Sequence, residues 1–118
     1  MLGGTEATRR LLSLPQPPTA ILSVNYVMAA GVLRYLKDAK LRAPDDVSLV
    51  SFDDPPLFGL YESGITVVAQ PIEGVAQTIA DVLERRLRSA RETPFSTTRL
   101  RCDVILRGST RPIREGVE

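Results

Sequence analysis

The chain has 118 residues, with 15 basic and 14 acidic side chains, a formal net charge of +1, and hydrophobic residues at 43%. That balance suits one ordinary globular domain and gives no reason to expect a nucleic-acid or membrane surface on it. Histidine is absent, which excludes His-based catalysis and His-ligated metal; a single cysteine, Cys102, excludes an internal disulfide and fits a reducing compartment.

Met1 to Thr8 carries no basic-then-apolar run, so no signal peptide is visible, and no apolar stretch approaches a membrane span. Thr5 to Leu12 reads as a short helix with Thr5 as N-cap, stopped by Pro15, Pro17 and Pro18. Thr19 to Val24 is mostly apolar with little alternation, the pattern of a buried strand. Asn25 ends that strand and can cap the helix after it. Met28, Ala29, Val32, Leu33 and Leu36 recur at helical spacing, predicting a helix over 26–38. A polar connection containing Pro44 leads to a second strand, Val47 to Phe52. Such a strand–helix–strand unit makes its strands parallel.

Asp53-Asp54-Pro55-Pro56 breaks the second strand, and 57–61 is a helical turn that exposes Leu57, Phe58, Leu60 and Tyr61. Ile65 to Ala69 is a third strand. A long helix covers 72–90, with an apolar stripe of Ile72, Val75, Ala76, Ile79, Ala80, Leu83 and Leu87; Thr93-Pro94 closes it. Its arginines (Arg85, Arg86, Arg88, Arg91), like Arg99 and Arg101 beyond, read as solvated surface. Leu100 to Leu106 alternates as a last strand that includes Cys102, and Gly108 to Glu118 reads as a polar tail.

Ligands of open parallel α/β sheets bind beyond the carboxyl ends of the strands. Asn25 and Asp53 stand there, offering an amide donor and acceptor and a carboxylate that accepts from adjacent hydroxyls. The plainer reading makes Asn25 a helix cap and Asp53 a turn residue. Adjacent Asp53 and Asp54 point in different directions and have no third oxygen ligand nearby, so neither metal binding nor paired-carboxylate catalysis is expected. Ser48 and Ser51 have no base to activate them, and Gly3-Gly4 does not follow a strand as a phosphate loop would. No cofactor is expected, and the chain does not read as an enzyme.

Five segments, in order and at the right spacing, resemble the C-terminal half of LacI/GalR-family repressors: Pro18 to Asn25, Met28-Ala-Ala-Gly31-Val-Leu, Leu41 to Asp54 with its Ser-Phe-Asp53-Asp54 end, Thr66-Val-Val-Ala-Gln70-Pro71, and Arg107-Gly-Ser-Thr110. The resemblance runs from about residue 3 to 112. It implies an α/β fold with three layers, a mainly parallel sheet flanked by helices: one incomplete lobe of a type I periplasmic-binding-protein-like fold. Residues 1–70 would be the C-terminal lobe, 71–97 the crossover helix that in the family belongs to the N-terminal lobe, and 98–118 the returning strand and tail.

The resemblance also implies the function: effector binding and dimerisation in a transcriptional regulator of the cytoplasm, with a small sugar-like polar effector. The positions of Asn25, Asp53 and Gln70 contact that effector or line its cleft in the family; Gln70 can instead be a hinge hydrogen bond. Tyr26 stands where the family usually has Asp, and offers a face to a sugar ring or flat heterocycle; Ser51 stands where it usually has Gly. A homodimer is implied, with Leu57, Phe58, Tyr61, Ala29 and Leu33 at its interface. The family's helix-turn-helix has no counterpart here, so this chain alone is expected not to bind operator DNA. The alternative is part of a periplasmic sugar-binding protein of a transporter.

Overall fold

The structure, a computed structural model, describes residues 2–89 and 95–113. The elements are α1 (Leu2–Leu12), β1 (Ala20–Ser23), α2 (Tyr26–Asp38), β2 (Ser48–Phe52), a 3-10 turn (Pro56–Leu60), β3 (Thr66–Ala69), α3 (Ile72–Arg88) and β4 (Asp103–Ile105). Ala90, Arg91 and Thr93-Pro94, expected at the end of the long helix, lie outside the described residues, as do 114–118. The chain divides into two compact units, residues 1–69 with 104–118, and residues 70–103.

The first unit is built on a sheet of order β1-β2-β3-β4. β1 and β2 run parallel with Ile21 opposite Leu49 and Ser23 opposite Ser51; β2 and β3 run parallel with Val50 opposite Thr66. This is the mainly parallel α/β arrangement expected, and α2 lies between its first two strands at the bounds its periodicity predicted. One sheet face carries Ile21, Leu49 and Val67, which form the core with Ala29, Val32 and Leu36 from α2, together with Ala43, Val47, Phe58 and Ile65.

β1 is half buried, not fully buried as expected. Ile21 and Ser23 face the core, while Leu22 is 64% exposed. An apolar side chain faces inward only where another layer covers it, and hydrophobicity alone does not say which faces are covered. Two of the expected surface residues are likewise interior. Phe58 and Ala29 are 2% and 0% exposed, so they pack in this unit's own core and not at a dimer surface. Tyr61 and Leu33 lie partly buried against that core, and Leu57 and Leu60 are exposed. The 3-10 turn explains the split. Its three-residue repeat drives Phe58 under the turn, where the Phe58 carbonyl accepts from Ile65 N (3.0 Å), while its neighbours point out.

α1 begins before Thr5, which is therefore not its cap. The Thr5 hydroxyl donates to Gly31 O (3.0 Å) across to α2, and buried Thr8 donates to Gly4 O (2.7 Å). Gly4 lies against the backbone of Met28, and a Cβ there would collide with the Met28 carbonyl. Gly4 thus lets α1 approach the α2 backbone closely.

In the second unit Ile72, Ile79, Leu83 and Leu87 of the α3 apolar stripe are all exposed, and no α3 residue is buried. Its arginines are solvated as expected, Arg88 pairing with Glu84 at 2.6 Å and Arg86 lying over the Phe95 ring. The last strand is shorter than its alternation suggested. β4 holds only Asp103–Ile105, all exposed, and Cys102 precedes it.

Gly4→Ala is expected to destabilise the chain by about 1–3 kcal/mol, because the methyl must push α1 off the α2 backbone. Urea unfolding checks this; an unchanged midpoint would show that the helices separate freely.

Candidate functional site

Parallel strands deliver their carboxyl ends to one edge of a sheet. Asn25 and Asp53 each stand two residues beyond the paired Ser23 and Ser51, and so lie side by side in sequence register at that edge. Asn25 is extended (φ −162°, ψ 167°) and caps α2: its Oδ1 accepts from Met28 N at 2.9 Å. The cap leaves the Asn25 amide NH2 unused. Tyr26 opens the helix and is 50% exposed beside it. Ser51 is fully buried, its hydroxyl donating to the Phe52 carbonyl at 2.9 Å.

Asp53 has φ 74°, in the left-handed region that a β-carbon disfavours. Its amide donates to Val68 O (3.0 Å), carrying the sheet ladder one step past β2 before the chain turns away. Asp53 is half buried and engaged within the protein. Gln70 falls in the second unit, is exposed, and accepts from Ile72 N through its carbonyl (2.9 Å).

Asp54 has a different task from Asp53. Its carboxylate forms a two-toothed pair with Arg107, Nη1 to Oδ1 and Nη2 to Oδ2, both 2.7 Å. The pair is about three-quarters buried, at 22% and 24% side-chain exposure. Arg107 Nη1 also donates to Ile65 O (3.1 Å), and hydrogen bonding to Asp54 raises the guanidinium pKa further above its ordinary value. Such planar, charge-assisted pairs are the stronger class of hydrogen bond.

Sequence reasoning missed the role of the segment after Arg107. The expected polar tail is instead an arm docked on the sheet at least as far as Thr110. Ser109 is fully buried. Its hydroxyl accepts from Thr66 N (2.8 Å) and donates to Leu49 O (2.6 Å), while its carbonyl accepts from Leu49 N (2.9 Å). Thr66 Oγ1 meets the backbone of Arg107 and the hydroxyl of Thr110 at 3.0 and 2.9 Å. Gly108 is obligatory, since a Cβ there would strike Ser63. The signal was present in the Arg-Gly-Ser-Thr string itself, whose small and hydroxylated residues suit close docking against backbone.

With this geometry in view, comparison with known proteins decides the family. Residues 2–110 match the family described as a periplasmic binding protein-like domain. The chain belongs to that family. Among curated proteins it is 33% identical over 110 residues to the HTH-type transcriptional repressor CytR of Escherichia coli K12, covering 93% of this chain and 32% of that protein. It is 35% identical over 85 residues to the ribose operon repressor of the same strain, covering 72% of this chain and 26% of that one. Among solved structures, a LacI family transcriptional regulator from Enterococcus faecium with bound ribose aligns at TM-score 0.80 and 29% identity, over 96% of this chain and 41% of that one. These relatives are LacI-family regulators, as the sequence motifs implied, and the chain spans between a quarter and a third of the length of the curated repressors named here.

Within this periplasmic-binding-protein-like domain two hydroxyl and amide side chains are structural in measurable ways. Ser109→Ala leaves the Thr66 amide without its partner inside the core and is expected to cost about 1–3 kcal/mol. Asn25→Ala removes a helix cap and is expected to cost about 1 kcal/mol. Both are read from urea unfolding midpoints; an Asn25→Ala chain as stable as the parent would mean that α2 does not need its cap.

Proposed function

We propose that the chain forms one wall of an effector cleft in a LacI-type transcriptional regulator, with Asn25, Tyr26 and Asp53 facing a small, sugar-like polar ligand. The observation that carries this reading is the left-handed backbone at Asp53, beyond the carboxyl end of the interior strand β2 and next to Asn25 beyond β1. Aspartate is among the few residues that adopt this conformation in turns, at a cost on the order of 1 kcal/mol against glycine. An aspartate kept there despite that cost holds a carboxylate at the sheet edge where parallel α/β folds bind ligands.

The known relatives support the chemistry: one regulates a ribose operon and one holds ribose. Because those relatives are regulators, the reading is of a binding domain and not an enzyme. It acts in the cytoplasm and reaches DNA only through a helix-turn-helix outside this sequence. The transporter alternative has no comparable support. Among the described residues no helix is long and apolar enough to cross a membrane. On this reading residues 1–70 are the C-terminal lobe, 71–97 the crossover helix and 98–118 the return, and Gln70 serves as a hinge or ligand contact. Ligand binding favours one arrangement of the lobes and so shifts a two-state equilibrium.

The decisive comparison is Asp53→Gly against the unaltered chain in a thermal-shift screen of pentoses, hexoses and nucleosides. Glycine relieves the left-handed backbone, so the unliganded melting temperature is expected to hold or rise. The ligand-induced shift, which corresponds to about 2.7 kcal/mol at a hundredfold excess over Kd, is expected to vanish. A true ligand whose shift survives Asp53→Gly would overturn the assignment.

Self-association belongs to the same reading. Leu57 and Leu60 are exposed in the first unit and the α3 stripe in the second, and exposed apolar clusters of this kind mark contacts. Sedimentation at micromolar concentration is expected to show a dimer that Leu83→Lys weakens; a monomer before any substitution counts against it.

A further inference from the structure

We infer that the Asp54–Arg107 ion pair is a positioning latch: it holds the turn that presents Asp53, and it binds that turn to the segment by which the chain re-enters the first unit. This rests on the proposed role of Asp53 as a ligand contact, and extends it to two residues that do not themselves face the ligand.

Four observations converge. Asp53, at φ 74°, has a left-handed backbone that aspartate adopts at some cost, so contacts from its neighbours help to hold it. The next residue, Asp54, is gripped at both carboxylate oxygens, at 2.7 Å each, which fixes the plane of the carboxylate and limits its backbone. Arg107 is itself fixed from several sides. Its guanidinium donates to Ile65 O, its amide to Thr66 Oγ1 (3.0 Å), and its stem lies against Gly64, where a Cβ would sit 2.8 Å from Arg107 Cδ. Gly64 has φ 79°, so the sequence keeps glycine where both the backbone and the arginine stem require it. Finally, the Arg107 side is anchored downstream, since Gly108 N donates to Ser63 O (2.9 Å) and Ser109 is fully buried between β2 and β3.

The direction of support comes from this asymmetry. Arg107 is held by backbone and packing independent of Asp54, whereas Asp54 is gripped through the ion pair and Asp53 beside it has the Val68 hydrogen bond and a further contact of its own. Removing the pair therefore loosens the turn more than it loosens the arm.

The test is residue-resolved amide hydrogen exchange on the whole chain, with Asp54→Asn, Arg107→Met and the milder Arg107→Lys. Expected in Asp54→Asn and Arg107→Met is at least a roughly tenfold faster exchange of the Asp53 amide, while the Leu49 amide, bonded to Ser109, and the amides of α2 keep their protection. Arg107→Lys, which retains charge and stem but not the two-toothed geometry, falls between. If a stronger variant unfolds, Arg107→Lys carries the comparison alone. A purely structural pair would move the protection of Asp53, Leu49 and α2 together, and that result, or an unchanged Asp53 amide in a folded variant, overturns the latch. Ribose titration of the same chains separates the two readings. If ribose binds, it is expected to bind about tenfold more weakly to Asp54→Asn than to the parent. Failure of the unaltered chain to bind ribose, or any sugar of the thermal-shift screen, counts against the ligand-binding reading, while the exchange pattern still decides the latch.

Discussion

The first unit depends on a hydroxyl group buried between two strands. Thr66 begins β3 opposite Val50, so one step earlier on β2 the backbone of Leu49 has no β3 partner. Ile65 cannot supply one, because its amide is spent on Phe58 O. An unpaired amide and carbonyl at a fully buried position would cost several kcal/mol together. Ser109 resolves this by placing its carbonyl on the Leu49 amide and its hydroxyl between the Leu49 carbonyl and the Thr66 amide. A residue sixty positions downstream of Leu49 thereby completes the sheet.

Much else depends on that anchor. With Ser109 fixed, Gly108 must pass Ser63 without a side chain, and Arg107 must lie along Gly64. The guanidinium then reaches both Asp54 and Ile65 O. At the opposite end of the chain, Gly4 and Thr5 let α1 approach α2 at backbone distance, steadying the helix whose first turn Asn25 caps. Asn25 and Asp53, two of the residues proposed to meet ligand, are thus each held by contacts that do not themselves touch it.

How much was legible in the sequence depends on the range of the interactions involved. α2 and β3 came out within a residue of expectation because their periodicity and flanking residues are local. The long helix began where Pro71 and its stripe said it would. Local signals did not reveal coverage: Leu22 and Val24 are as apolar as Ile21 yet exposed, because none of the described residues covers them. They also placed Phe58 at the surface, where a 3-10 repeat in fact turns it inward. The docked arm was invisible to periodicity altogether, because Arg-Gly-Ser-Thr forms neither helix nor strand and gains its order from residues far away in sequence, among them Leu49, Asp54, Ser63 and Thr66. Asn25 and Asp53 were placed correctly at the sheet edge by strand ends alone, but the left-handed φ of Asp53 had no sequence signature.

Asn25 shows why its two readings need not compete. Capping uses Oδ1, an acceptor, and leaves the NH2 group, a donor. In the proposed cleft this side would therefore offer a ligand one amide donor from Asn25, carboxylate acceptors from Asp53 and an aromatic face from Tyr26. A carboxylate at position 26, as the family usually has, would add a second acceptor for hydroxyls. Tyrosine exchanges that acceptor for a flat apolar surface with a polar tip. The wall then suits a ligand that presents adjacent hydroxyls to one residue and a ring face to another, and it suits less well a ligand gripped by its hydroxyls alone. On the proposed reading Tyr26 would bear on which polar ring is held, while the capped Asn25 and the proposed latch at Asp53 would bear on how firmly the wall is preformed.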